Sequence, residues 1–276
     1  MRSGEARLSC RDRQRGAHRL IHGLYWEEHG SGPPLILSAG LGGSGNYWLP
    51  NLPALAERHR VILYDHRGTG RSDRTLPETV TVEQLGDDIL ALIEGLGLRS
   101  ATIIGHAAGA AAGLAAALTA PGRIDRLVLV NGWSAPDPHF LRCFETRLAL
   151  LRDSGPRAYL RAQPLFLYPA NWMSENAARL AAEDEAHLAH FAGAETYEKR
   201  IAALAAFDVD AHLGEITAPT LALAATDDML VPSNCSTRLA EGIAGARLAT
   251  MPWGGHACNV TDPETFNRLV LDFLGE

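Results

Sequence analysis

Positive charge is in short supply: 25 Lys and Arg face 32 Asp and Glu, giving a net charge of −7. A phosphate backbone needs basic surface, so nucleic acid is excluded as the main partner. Cysteine is scarce too. Cys10, Cys143, Cys235 and Cys258 lack the spacing of a thiolate metal site, and they read as reduced thiols of a cytoplasmic protein. No run has the make-up of a membrane span. The longest uncharged stretch, 100–122, is mostly alanine and glycine, carries His106, and turns from strand to helix pattern midway. A secretory signal is missing as well: residues 1–20 hold six arginines and no apolar segment. They read as a disordered leader or an extended translation start rather than a transit peptide. Internal repeats are absent, and alanine bias is the only compositional skew.

What remains is 276 residues, 46% of them hydrophobic, enough for a sizeable core. Short β-branched or leucine-rich runs each end in a turn signal: 34–40, 60–68, 100–107, 126–133, 219–227 and 246–256. Near-continuous apolar runs of this kind suit a parallel sheet covered on both faces. Helical patterns separate them, most clearly over 82–96, where Thr81 and Gln84 make a capping box. The expectation is a mostly parallel, doubly wound α/β sheet. Residues 134–212 break the rhythm with alanine- and leucine-rich helical stretches and no strand. They are expected to form a helical cap on a core of 21–133 and 213–276, over the carboxyl ends of the strands, where ligands bind.

One atom is conspicuously missing. At 105–109 the chain reads Gly-His-Ala-Ala-Gly, the strand–turn–helix context of a hydrolase nucleophile elbow, G-x-S-x-G, with Ala107 in place of serine. Other parts of that chemistry follow in the expected order. The glycine loop "SAGLGGSG" (38–45) offers the Leu41 amide as an oxyanion donor, and the Ala108 amide just after the elbow offers a second. Glycine loops are common, so the loop gains weight only beside the elbow. "ATDDMLVP" (225–232) supplies the acid: Asp228, with Asp227 the runner-up, although adjacent aspartates also serve turns. His256, on the Gly-Gly turn after the last strand run, is the base. Ser38, Ser44 and Cys258 are poorly placed as substitute nucleophiles. His187 and His190 lack a third ligand, so neither metal nor cofactor is expected.

A water above Ala107, deprotonated by His256, then replaces the serine. Triads stripped of one member retain roughly 10³–10⁴-fold catalysis over water. That is futile for a stable amide and useful for a labile substrate.

From Pro33 to Leu274 the chain resembles the RutD group of the α/β-hydrolase superfamily. "GLGGSGNYWLP", "YDHRGTG", "VNGW", "QPLFLYPANWM" and "MPWGGHACNVTDPETFN" carry the resemblance, and members of that group can carry G-H-A-x-G. It implies an amide-type hydrolase acting on carbamate or aminoacrylate, late in the release of uracil nitrogen during pyrimidine degradation. A carbamate anion needs positive or donor groups, for which His106 and Arg142 are candidates, with Trp133 beside them. The expected partner is a small-molecule substrate, with a homodimer as the candidate assembly and no membrane or nucleic acid. Two other readings stay open: a non-catalytic binding protein of the same fold, and a serine esterase whose nucleophile was mutated to Ala107.

Overall fold

A computed structural model describes residues 20–275. The leader expected over 1–20 therefore lies outside the described residues, apart from Leu20, which opens β1. The strands are β1 (Leu20–Ile21), β2 (Leu24–His29), β3 (Pro34–Ser38), β4 (Arg60–Tyr64), β5 (Ala101–His106), β6 (Ile124–Val130), β7 (Thr220–Ala225) and β8 (Arg247–Met251). They form one eight-stranded sheet in the order β1-β2-β4-β3-β5-β6-β7-β8. At one edge β1 pairs antiparallel with β2 and β2 antiparallel with β4, and the remaining five pairings are parallel. The parallel strands are those announced by the apolar runs. The edge pair has no such run, because β2 is only partly buried and carries Glu27, Glu28 and His29.

Helices α1 (Leu52–Ala56), α2 (Val82–Gly95) and α3 (Ala108–Thr119) follow the first strands. The expected capping box is present on α2: Thr81 Oγ1 accepts from the Gln84 amide, and Gln84 Oε1 accepts from the Thr81 amide. α3 is alanine-rich and buried along nearly its whole length. Its small side chains let α2 approach closely: a Cβ on Gly86 would stand 2.8 Å from the Ala116 nitrogen.

Between β6 and β7 come four helices, α4 (Pro138–Leu167), α5 (Ala170–Glu175), α6 (Ala177–Ala189) and α7 (Ala194–Ala206). Asp137 caps α4, accepting from the His139 and Phe140 amides. Gly155, at φ 82°, breaks α4 just before Pro156. α8 (Ser233–Gly242), α9 (Cys258–Thr261) and α10 (Pro263–Leu274) complete the chain. Two apolar layers sandwich the sheet. One is built from α2, α3 and the start of α4, the other from Trp48, Leu55, Phe266 and Val270. Among the described residues, no helix is long and apolar enough to cross a membrane.

Candidate active site

The carboxyl ends of β5, β6 and β7 bring the predicted residues together. β5 runs into Ala107, whose backbone sits at φ 51°, ψ −108°, a region that residues with a Cβ avoid. The flanking glycines make this bend sterically feasible. A Cβ on Gly105 would lie 2.3 Å from the Gly109 carbonyl oxygen, and one on Gly109 would lie 2.1 Å from that of Ser38. The Ala107 amide donates to the Val130 carbonyl at 2.9 Å, tying the bend to β6.

The acid and base meet as expected. His256 Nδ1 lies 2.8 Å from Asp228 Oδ2, with side-chain exposures of 2% and 0%. Asp228 Oδ1 accepts from the Leu230 and Val231 amides at 2.8 and 3.0 Å, so the buried carboxylate is fully hydrogen-bonded. Asp227, the runner-up, has a different task. Its carboxylate accepts from the Gly255 amide at 2.8 Å and the Gly254 amide at 3.3 Å, pinning the turn that presents His256. His256 Nε2 makes no hydrogen bond to the protein and is not among the sealed, unpartnered atoms of the interior.

Sequence reasoning missed the support beneath this histidine. The His256 carbonyl accepts from Asn131 Nδ2 and from His106 Nε2, both at 2.7 Å. Asn131, at φ 48°, also accepts from the Ala225 amide through Oδ1 at 3.1 Å, linking the ends of β6 and β7 to the base. Its signal in the sequence is a polar residue ending a buried strand, in "VNGW".

His106 needs a correction. It was expected beside the substrate as a donor or positive group, but its Nε2–H is committed to the His256 carbonyl. Burial, followed by the neighbouring His256, holds its pKa well below 6.5. The ring is therefore neutral, with a bare, sealed Nδ1, and it stacks on Tyr47 at 4.7 Å. Its contact is with the backbone of the candidate base.

Both oxyanion candidates lack a protein acceptor. Ala108 opens α3, where the first amides have no partner within the helix, and neither its N–H nor that of Leu41 is engaged elsewhere. The Gly40 carbonyl accepts from the Gly43 amide at 3.0 Å. This fixes the peptide plane that carries the Leu41 N–H. Gly40 must be glycine, since a Cβ there would stand 2.9 Å from His106 Nδ1.

The next peptide is held from α7, where Arg200 Nε donates to the Leu41 carbonyl at 3.2 Å. Arg200 Nη2 also donates to His66 Nδ1 at 2.9 Å, which leaves the His66 proton on Nε2 for Ser38 Oγ, 3.1 Å away. Burial, then the Arg200 charge, keeps the His66 pKa well below 6.5. Ser38 is thus part of a structural network that also includes Tyr64, and Ser44 caps the short turn after it.

The remaining candidates sort by burial. Arg142, expected to face an anion, is exposed on α4. The inward stripe of that helix instead runs through Phe140, Phe144, Arg147 and Leu151, which turns Arg142 outward. Trp133 is buried against Phe140, its ring 5.0 Å away, in the same apolar cluster as Ala107. Trp48 is core, and Trp253 is exposed. Cys258 is a packing thiol that burial pushes up to about 12. His187 and His190 are exposed, and the described residues hold no cluster of three or more metal-ligating side chains. A surface groove is lined by Pro169, Ala170, Asn171, Trp172, Asp227 and Trp253.

Known proteins resemble this chain in sequence and fold. The α/β-hydrolase fold model matches residues 33–169. A Caulobacter sp. (strain K31) protein provisionally named carbamate hydrolase RutD is 57% identical over 92% of this chain and 96% of its own length. A Rhizobium rhizogenes protein of the same name is 50% identical over 91% and 97%. The chain belongs to the RutD group of the α/β-hydrolase family. Among solved structures, a Pseudomonas aeruginosa hydrolase superposes on this family member with a TM-score of 0.82 at 33% identity, covering 92% of this chain and 94% of its own. The enol-lactonase of Burkholderia xenovorans does so at 0.82 and 28%, over 92% and 96%. The α/β-hydrolase core is thus shared across this range of identity, and the RutD-type chain is a hydrolase of that family.

Proposed function

We propose that this hydrolase cleaves a C–N bond in a small, labile substrate of the carbamate or aminoacrylate type, releasing ammonia in pyrimidine nitrogen catabolism, with water as the only nucleophile. The observation that carries the reading is a hydrogen-bonded Asp228–His256 pair beside two unengaged amides, kept around an elbow that bears alanine. A buried histidine–carboxylate pair is costly to maintain unless it is well satisfied, and here Asp228 bonds the ring while Asn131, His106 and Asp227 hold the backbone of the turn that presents it. The names of the RutD relatives supply carbamate, and the resemblance described above adds aminoacrylate.

In the proposed reaction His256 Nε2 takes a proton from water as the water oxygen bonds to the carbon bearing nitrogen. Asp228 steadies the imidazolium that forms. The Leu41 and Ala108 amides receive the negative charge that develops on a carbonyl-type oxygen. With carbamate the proton then passes from Nε2 to the departing nitrogen as the C–N bond breaks. For carbamate the balance is carbamate plus water giving bicarbonate plus ammonia. For aminoacrylate the water attacks the amino-bearing carbon while the proton from Nε2 goes to the adjacent carbon, and the carbinolamine so formed passes its hydroxyl proton to nitrogen as the C–N bond breaks, giving the aldehyde acid plus ammonia. The substrate is a small molecule, and the proposed setting is the cytoplasm.

The test is ammonia release from freshly generated carbamate or aminoacrylate, compared with the spontaneous rate. The intact chain is expected to accelerate at least one of them, and His256→Ala to abolish the acceleration. Identical traces for protein, variant and buffer refute the reading.

A further inference from the structure

Two arginines are buried in the helices between β6 and β7, each 2% exposed. Arg200 is fully engaged: besides the Leu41 carbonyl and His66, its Nη1 donates to the Arg67 carbonyl at 3.2 Å. Arg147 is not. Its one hydrogen bond runs from Nη2 to the Tyr159 hydroxyl at 3.1 Å. Nε is buried without an acceptor, Nη1 bonds to nothing, and among the described residues no carboxylate pairs with it. The rings of Phe144, Tyr159 and Phe166 surround the guanidinium at 5.4, 5.4 and 5.8 Å. Aromatic faces ease the burial of a cation, but they do not satisfy its N–H groups. A buried charge in this condition calls for a counter-ion.

Its position shows where that counter-ion belongs. Cys143 stands one helical turn before Arg147, on the same face of α4. The Cys143 sulfur lies 3.7 Å from the Met229 carbonyl, in the residue after the catalytic acid. Burial raises the Cys143 pKa, while Arg147 draws it down and Asp228 pushes it up, so that thiol lies within the fields of both. On its other side Arg147 bonds Tyr159, a member of the apolar cluster against which Leu41 packs. Arg147 is thus one turn from a contact with the loop after Asp228, and it bonds the cluster against which the Leu41 side chain packs.

We propose that Arg147 is the receptor for a substrate carboxylate, and that this acid group is distinct from the carbon attacked. This rests on the hydrolytic reading above and narrows it. The Leu41 and Ala108 amides lie at the sheet edge and serve the reacting carbon. Arg147 comes from a separate element, so the anion it holds is a second group on the same molecule. A substrate whose lone carboxyl carbon is the reacting centre cannot use both. A small acid bearing its C–N bond one or two carbons away can. The planar guanidinium also suits a carboxylate better than any single-point acceptor.

Binding of propionate and of its uncharged isostere propionamide, measured by calorimetry on the full chain, tests this without any need for turnover. A failure here is therefore distinguishable from a failure of the ammonia assay. Propionate is expected to bind at least tenfold more tightly than propionamide. Arg147→Gln is expected to lose roughly tenfold or more of the propionate affinity, and Arg147→Lys to recover part of it. Should the glutamine variant not fold, the lysine variant carries the comparison through a weakened propionate affinity and an unchanged propionamide one. Equal binding of the two probes, no binding of either, or a variant with lowered melting temperature but undiminished propionate affinity overturns the proposal. The last result would make Arg147 a packing residue.

Discussion

At φ 51° and ψ −108°, Ala107 holds a conformation that costs a residue with a Cβ about 1–3 kcal/mol. The bend aims the first free amides of α3 toward the end of the sheet, and that role survives without a side-chain oxygen. Ala107 retains 5% exposure, so the elbow is not sealed from solvent. Ala107→Ser is therefore expected to gain a serine-type acylation step, seen as a burst of about one p-nitrophenolate per chain from p-nitrophenyl acetate. A linear trace with no burst would mean that His256 Nε2 does not reach the elbow. At the same scale, the exchange of Arg142 for Arg147 is instructive. Position 147 lies seven residues beyond Phe140 and three beyond Phe144, on the inward stripe, so its burial could be read from helical spacing. That Arg142 faces solvent follows from the same periodicity.

The elements themselves were largely written in the sequence. Continuous apolar runs marked the parallel strands because both of their faces are covered, and Thr81 with Gln84 marked the start of α2. The β1–β2 edge escaped because a strand with one wet face carries no such run. The Gly155 break in α4 falls at a Gly-Pro pair, a turn signal set inside the helical pattern. The site divided in the same way. Asp228, His256 and the two amide donors follow from position along the chain. Asn131 and Arg200 act through contacts between segments far apart in sequence. α3 offers a direct test of how closely its first turn is fitted. Gly109→Ala puts a Cβ 2.1 Å from the Ser38 carbonyl oxygen and is expected to cost at least about 2 kcal/mol. Gly113→Ala, one turn on, meets only side-chain atoms at 3.4 Å and beyond and is expected to be neutral or to stabilise by up to about 1 kcal/mol. Urea midpoints of the two variants check this, and equal shifts would contradict it.

For the molecule as a whole, acid sensitivity follows from two buried imidazoles. His66 and His106 both have pKa values held well below 6.5 in the folded protein, chiefly by burial. Once unfolded they bind protons at the usual value, so below pH 6.5 the unfolded chain takes up more protons than the native one, and stability falls with pH. Each contributes up to about 1.4 kcal/mol per pH unit in that window. Urea denaturation at pH 7.5, 6.0 and 5.0 is expected to show a steepening loss below 6.5. A flat response would mean that one or both rings are charged in the native state.

The bend at Ala107 also bears on how such a chain changes over generations. Every alanine codon becomes a serine codon by one base change, and the reverse step is as short. A lineage that preserves the kink and its flanking glycines can drop the hydroxyl and take it up again without rebuilding anything around it. One that lets the kink relax has to rediscover several positions at once, so the upkeep of the turn keeps alanine and serine a single mutation apart at this position.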